Sequence, residues 1–211
     1  MKILVLGASQ GTGAWVVSHG LARGHSVTAF ARSPEKLKLE HKNLTKVVGD
    51  FHNEKSVMDA VAGHDAVVIT VSVTKLSAFK ENPQYFSQGT SYAIAGMQAH
   101  GVRRLVVLSA LGVGNSKPLL NPLVRSLMVD LLLKPAFADH VVQEQEVRDS
   151  GLDWVIARPS RLTNGEALGK YKATKELVSV PTAIARADVA DFMLKACEGD
   201  EWLGQAVHLG G

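Results

Sequence analysis

The 211-residue sequence is poor in the features that mark several protein classes. It has one cysteine, Cys197, so no internal disulfide can form, and that count fits a reducing compartment. It has no long unbroken apolar run. The most hydrophobic later stretch, Leu119 to Leu133, is interrupted by Pro122, Arg125 and Asp130, which argues against a membrane span. It also lacks a block of like charges. With 23 Lys and Arg against 20 Asp and Glu, the formal net charge is +3, and no basic patch suited to nucleic acid stands out. Met1-Lys2 leads straight into a strand pattern, so no signal peptide is expected. Linkers and internal repeats are missing too. Hydrophobic content of 46% with 20% charged residues describes one well-buried domain. The expectation is a cytoplasmic, enzyme-sized domain with a small-molecule partner, and without metal, nucleic acid or membrane.

What is present begins with the first thirteen residues, Met1 to Gly13. Lys2 to Leu6 is a short apolar, β-branched run that reads as a strand buried on both faces. Gly7, Gly11 and Gly13 follow in one turn, and Ala14, Val17 and Leu21 recur at helical spacing. Strand, glycine turn and helix together present free backbone N–H groups and the positive end of a helix dipole to a phosphate. Gly7, Ser9, Gln10, Gly11, Thr12 and Gly13 are therefore the expected cradle of a dinucleotide pyrophosphate.

The second strand, His25 to Phe30, ends in Ala31-Arg32-Ser33, with no acid before Glu35. An NAD-preferring fold places Asp or Glu there for the ribose 2′-hydroxyl. A guanidinium and a hydroxyl instead suit the 2′-phosphate of NADP, since arginine grips phosphate through two charge-assisted bonds. The plainer alternative is a solvated loop arginine. Leu44 to Val48 is a third strand, followed by Gly49-Asp50-Phe51. Asp50 there is placed to accept from an adenine amino group, with Phe51 against the ring; its other reading is a helix N-cap. Asp65 to Val71 is the fourth strand, and Val71 and Ser72 at its end should lie beside ribose and pyrophosphate.

Gln84 to His100 reads as a helix and Val102 to Leu108 as a fifth strand ending at Ser109. Residues 110–134 form a long, partly helical, apolar excursion, suited to a lid over an apolar ligand or to a subunit contact in a weak homodimer. Pro135 to Ser150 is helical, and Leu152 to Ala157 is a strand broken by Arg158-Pro159-Ser160. Glu176 to Val180 reads as a short strand. Asp188 reads as the N-cap of a last helix, Val189 to Cys197, and Ala206 to Leu209 as a terminal strand. Strands alternating with helices give an α/β fold, a doubly wound parallel sheet in a single domain.

Four stretches carry a family resemblance: Gly7-Ala-Ser-Gln-Gly-Thr-Gly13, Val48-Gly-Asp50, Ser150 to Pro159 and Ala185 to Met193. They resemble the atypical short-chain dehydrogenases, and within them the NAD(P)H-binding group that contains biliverdin-IXβ/flavin reductase. The resemblance implies a Rossmann core, NADP(H), and a permissive site over the nicotinamide for planar acceptors such as flavins. It also implies that residues 158–185 form a substrate-side portion, with Pro159 and Ser160 next to the cofactor.

Two departures accompany it. The turn carries Gln10 where the atypical branch usually has glycine, with Gly11 one place later. The main-branch Tyr-x-x-x-Lys pair is matched only by letter in Tyr171-Lys-Ala-Thr-Lys175, which lies after the sixth strand and not on the helix before it. On that helix the two positions hold Ala136 and His140, and the reductase group likewise has histidine there. Ser109, to orient nicotinamide or acceptor, and His140, to hold ribose or deliver a proton, are the catalytic candidates. Ser160 stands where the group has histidine on the substrate side. NmrA-like relatives keep the fold as a non-catalytic NADP sensor, and an isomerase or dehydratase on the same fold is the third alternative.

Overall fold

The computed structural model describes residues 1–73 and 77–211. Its order is β1 (Lys2–Leu6), α1 (Gly11–Ala22), β2 (Ser26–Ala31), β3 (Leu44–Val48), α2 (Glu54–Val61), β4 (Ala66–Ile69), α3 (Ala78–Glu81) and α4 (Ser87–His100). Then follow β5 (Arg104–Leu108), α5 (Pro122–Val124), α6 (Lys134–Asp149), β6 (Asp153–Pro159), β7 (Arg161–Thr163), β8 (Lys172–Thr174), β9 (Ala183–Ala185), α7 (Arg186–Glu198) and β10 (Gln205–Gly210). The main sheet runs β3-β2-β1-β4-β5-β6-β10-β8, parallel throughout except for the edge strand β8. A two-stranded parallel piece, β7 and β9, stands apart.

The chain crosses from one half of this sheet to the other between β1 and β4, which are neighbours in register from Ile3 opposite Ala66. In open α/β sheets ligands bind beyond the carboxyl ends at such a reversal. Every residue of β4 is buried, as its uninterrupted Ala-Val-Val-Ile run requires of a strand covered on both faces. One core layer joins Ile3, Val5, Val16 and Val17 to Phe192 and Met193 of α7. The other joins Leu4, Leu6 and Ile69 to Val57, Met97 and Val147 of α2, α4 and α6. Cys197 lies in the first layer, and burial pushes its thiol up to about 12, so it stays protonated.

The doubly wound sheet is as the alternation of apolar runs requires, with four corrections. β6 runs on through Arg158 to Pro159, because β10 pairs with it up to Leu209 opposite Pro159. No strand forms at 176–180; short strands flank that stretch instead, at Lys172–Thr174 and Ala183–Ala185. Helix α7 starts at Arg186, so Asp188 lies inside its first turn and accepts from the Leu168 and Gly169 backbone N–H groups. Helix α4 starts at Ser87 and not at Gln84. Its first-turn donors are held by Asp139 of α6, whose carboxylate accepts from Phe86 N at 2.5 Å and from Ser87 Oγ at 2.5 Å.

The excursion holds a 3-10 turn over Gly114–Leu119, the short α5 and a wide π-type helix over Arg125–Leu132. Val129 is buried, while Leu123, Leu127 and Leu131 are exposed. No helix among the described residues is long and apolar enough to cross a membrane.

Candidate functional site

A cavity of about 420 Å³ opens beyond the carboxyl ends of β1, β2, β3 and β4. It brings together Gly7, Ser9, Gln10, Arg32, Ser33, Asp50, Phe51, Val71 and Ser72, each singled out from the sequence. It does not take in Gly11, Thr12, Gly13, Ser109, His140, Pro159 or Ser160.

The turn into α1 has the build of an anion cradle. Gln10 precedes the helix with no side-chain cap, and the first turn carries no acid, so its backbone donors meet no protein anion there. Gly11 has φ +58°, a conformation that favours glycine, and a Cβ there would meet only the Arg186 side chain, 3.6 Å away. Gly11 is thus needed for the shape of the turn; its α-hydrogen faces Arg186. Gly13 answers to packing, since a Cβ would lie 2.2 Å from Gly7 O. Thr70 Oγ1 donates to Leu6 O at 3.0 Å and ties the β4 end to the β1 end beneath the turn. Thr12 Oγ1 and Ser160 Oγ are buried without a hydrogen-bond partner. Neither hydroxyl lines the cavity, so the cradle rests on the Gln10–Gly13 turn and its uncapped donors. These features fit a dinucleotide pyrophosphate.

At the other end of the cavity Arg32 and Ser33 are joined by Lys36, a second cation from the turn Pro34–Lys36. Glu40 pairs with Lys46, while Asp50 lines the same cavity and lies 3.4 Å from His52 Nδ1. Asp50 Oδ1 accepts from the His52 backbone N–H at 3.0 Å, and helix α2 is capped by Asn53, whose side chain accepts from Ser56 N. The cap therefore belongs to Asn53, and Asp50 borders the cavity. Phe51 is 6% exposed, with its ring against the bare backbone of Gly89 in α4, so little of it is left to cover an adenine. The aromatic wall comes from His52 and Tyr85, whose rings lie edge to face at 4.5 Å. His52 Nε2 donates to Tyr85 O at 2.9 Å and locks the pair. Neither was legible, because the two come from loops 33 residues apart.

Ser109 and His140 lie on the other side of the β4–β5 junction. Ser109 is buried, and its hydroxyl donates to Glu144 Oε1 at 2.7 Å. Glu144 also forms an ion pair with Arg158 at 2.5 Å. Burial opposes ionisation of Glu144, but the Arg158 hydrogen bonds and charge override it and hold the carboxyl below its ordinary value. His140, one turn before Glu144, stacks on Phe86 at 4.0 Å and 11°. Its Nδ1 faces Gln143 Oε1 at 2.8 Å, and Gln143 is itself fixed by donating to Thr90 Oγ1. Burial lowers the imidazole pKa more than the Gln143 bond raises it, so the ring is neutral near pH 7 with Nδ1 protonated and Nε2 available.

Tyr171 and Lys175 do not form a pair. Tyr171 donates to Asp191 at 2.8 Å on α7, its neighbouring ammonium is Lys195 at 3.4 Å, and Lys175 is exposed. Burial and the Asp191 carboxylate hold this phenol well above its usual range, which unfits it as an acid. Among the described residues no group of three or more His, Cys, Asp or Glu side chains could hold a metal ion.

The NAD(P)H-binding family model matches residues 7–200. A 3-beta-hydroxysteroid dehydrogenase of Mycolicibacterium neoaurum is 35% identical over 113 residues, half of this chain but only 31% of that enzyme. The uncharacterized sugar epimerase YhfK of Bacillus subtilis is 25% identical over 201 residues, covering 94% of this chain and 88% of its own length. Among solved structures, the anaerobillin reductase ChuY of Escherichia coli O157:H7 superposes with a TM-score of 0.81 at 22% identity, covering all of this chain and 97% of that one. At that identity the superposition shows a shared fold. With its glycine turn, its sheet order and a family match over nearly the whole length, the chain belongs to the NAD(P)H-binding family.

Proposed function

We propose that the protein is an NADPH-dependent reductase that passes hydride directly to a small planar acceptor such as a flavin, quinone or enone. The observation that carries the cofactor choice is the pairing of Arg32 with Lys36 and Ser33 at one end of the cavity, with no acid where a 2′-hydroxyl would be bound. A bound nicotinamide supplies the hydride. The chain supplies position: the α1 turn holds the phosphates, Val71 and Ser72 line the path toward β5, and Pro159 and Ser160 border the substrate side. No tyrosine acid stands on α6, where Ala136 occupies the place, and His140 is neutral with only the Nε2 lone pair free, so the acceptor must be one whose reduction draws its proton from solvent. The reductase named among the structural neighbours agrees with this reading. The single cysteine and an NADPH-linked activity both suit a cytoplasmic location.

The test is NADPH oxidation followed at 340 nm with a panel of flavins and quinones, alongside direct NADPH and NADH titrations. Turnover with NADPH preferred is the expected result. Tight NADPH binding with no turnover on any acceptor would replace the reductase by a redox sensor. Equal affinity for the two cofactors would remove the role given to Arg32 and Lys36.

A further inference from the structure

A second cavity, of about 270 Å³, lies between α6, the carboxyl end of β6 and the start of the excursion. Gly114, Asn115, Val141, Glu144, Arg148 and Arg158 line it. We propose that it is a binding site for a small carboxylate with a short apolar body, separate from the dinucleotide cavity.

The charges in it do not cancel. Glu144 is the one carboxylate, and both of its oxygens are already saturated. Oε1 accepts from Ser109 Oγ at 2.7 Å and Arg158 Nε at 2.8 Å. Oε2 accepts from Arg158 Nη2 at 2.5 Å and Arg148 Nη2 at 3.3 Å. Two guanidinium groups therefore share one anion, and the cavity keeps one positive charge in excess. His208, at 3.4 Å from Arg158 Nη1, adds no anion, since burial lowers its pKa and leaves it neutral.

The excess falls on Arg148. Arg158 is 2% exposed and already engaged through Nε, Nη1 and Nη2, whereas Arg148 makes only the long Glu144 hydrogen bond among the described residues. Its guanidinium is nevertheless held in place, lying over the Trp154 ring at 5.1 Å from the centroid. That leaves the rest of the fork as aligned donors at the cavity rim. Asn115 adds to them: its Oδ1 accepts from Arg158 Nη1 at 2.6 Å, which turns the amide N–H groups into the remaining donors of that side chain. A planar fork matches a planar carboxylate in two parallel bonds. Val141 and the bare Gly114 offer an apolar wall and space for a few carbon atoms. Arg148 and Asn115 lie outside the dinucleotide cavity, so this site stands whether or not NADPH is the cofactor.

The experiment is a titration of the ¹⁵N-labelled full chain with sodium succinate at constant ionic strength, following the arginine Nε–H resonances. A saturable shift of Arg148, with Arg158 following, is expected. Arg148→Gln should weaken the binding at least tenfold, Arg148→Lys less, and neither should alter NADPH affinity. Shifts no larger than those produced by sodium chloride, or unchanged in Arg148→Gln, would overturn the site. Phosphate binding more tightly than succinate would overturn the carboxylate assignment. Loss of NADPH binding in the wild-type chain with succinate binding intact would fail the dinucleotide reading and leave this one standing.

Discussion

Ser109 gives its only hydroxyl proton to Glu144, at 2.7 Å, inside the ion pair that Glu144 forms with Arg158. A serine so committed can accept a hydrogen bond from an amide or an acceptor but cannot donate one. Its role toward a bound ring is therefore passive, and its first contribution is to the network. A hydrogen bond to a buried charge is worth about 1.5–3 kcal/mol, so Ser109→Ala should lower stability by roughly that amount in urea unfolding. Turnover per folded molecule should fall less than tenfold. A thousandfold loss of kcat with unchanged stability would mean that the proton is redirected to substrate during the reaction.

Arg32 and Lys36 should separate the two cofactors. Each replaces a phosphate contact with water when changed to alanine, so NADPH should weaken roughly ten- to a hundredfold per residue while NADH barely moves. Calorimetric titration of both cofactors against each variant checks this. Equal losses for NADPH and NADH would place the 2′-phosphate elsewhere.

The two inner glycines of the turn should fail differently. At Gly13 a Cβ would lie 2.2 Å from Gly7 O and 2.5 Å from Thr70 Oγ1, so Gly13→Ala must push α1 off the sheet. Overpacking of that kind costs about 1–3 kcal/mol or more, and the loss should appear in the melting temperature as well as in binding. At Gly11 the space is open and only the φ of +58° resists. Gly11→Ala should cost about 1–2 kcal/mol of backbone strain and weaken either dinucleotide through the altered turn. Equal melting temperatures for the two alanine variants would show that Gly13 is not in the tight contact described.

These local features were legible because each is written within a few residues. The strand–turn–helix at 1–22 and the Arg32-Ser33 tip need only their neighbours to be read. The rest depends on distant partners. Arg158-Pro159 reads as a strand breaker, since proline cannot donate to a ladder. The strand continues there because Pro159 O still accepts from Leu111 N, and Ser160 N takes over the pairing with Leu209 O. Helix α4 begins at Ser87 because Asp139, 52 residues later, captures its first donors. The His52–Tyr85 wall and the Ser109–Glu144–Arg158 network each join segments that no spacing rule connects.

Glu146 of α6 has a buried oxygen without a partner, and burial with the nearby Asp139 charge raises its pKa to about 7. The native state thus holds a proton that the unfolded chain, at an ordinary 4.5, has released. Between those values stability falls as pH rises, and above about 7 the penalty is complete. The side chain is partly exposed, so solvent screening reduces the effect to about 1 kcal/mol. Glu146→Gln should therefore stabilise the protein at pH 8 by about that much and leave it unchanged at pH 4. Unfolding curves for both proteins at the two pH values check it, and an equal difference at both would assign the effect to packing.

Tyr171 is the remaining residue whose letter pattern suggests catalysis, and its surroundings argue the opposite. Its hydroxyl donates to Asp191, its ring lies against Lys195 at 5.4 Å, and none of these residues borders the dinucleotide cavity. A carboxylate acceptor on the phenol favours the neutral form, whereas the main-branch arrangement uses lysine to favour the phenolate. Tyr171→Phe should leave kcat and KM within twofold of the wild type. It should cost about 1 kcal/mol of stability, because Asp191 loses one donor but keeps Arg23 and Lys195. A positioned general acid contributes about 10²–10⁴-fold, so a loss of that size in this one conservative variant would require residues 165–175 to fold over the nicotinamide. The acceptor class would then change from easily reduced planar rings to ordinary ketones, which need a proton delivered at the carbonyl oxygen.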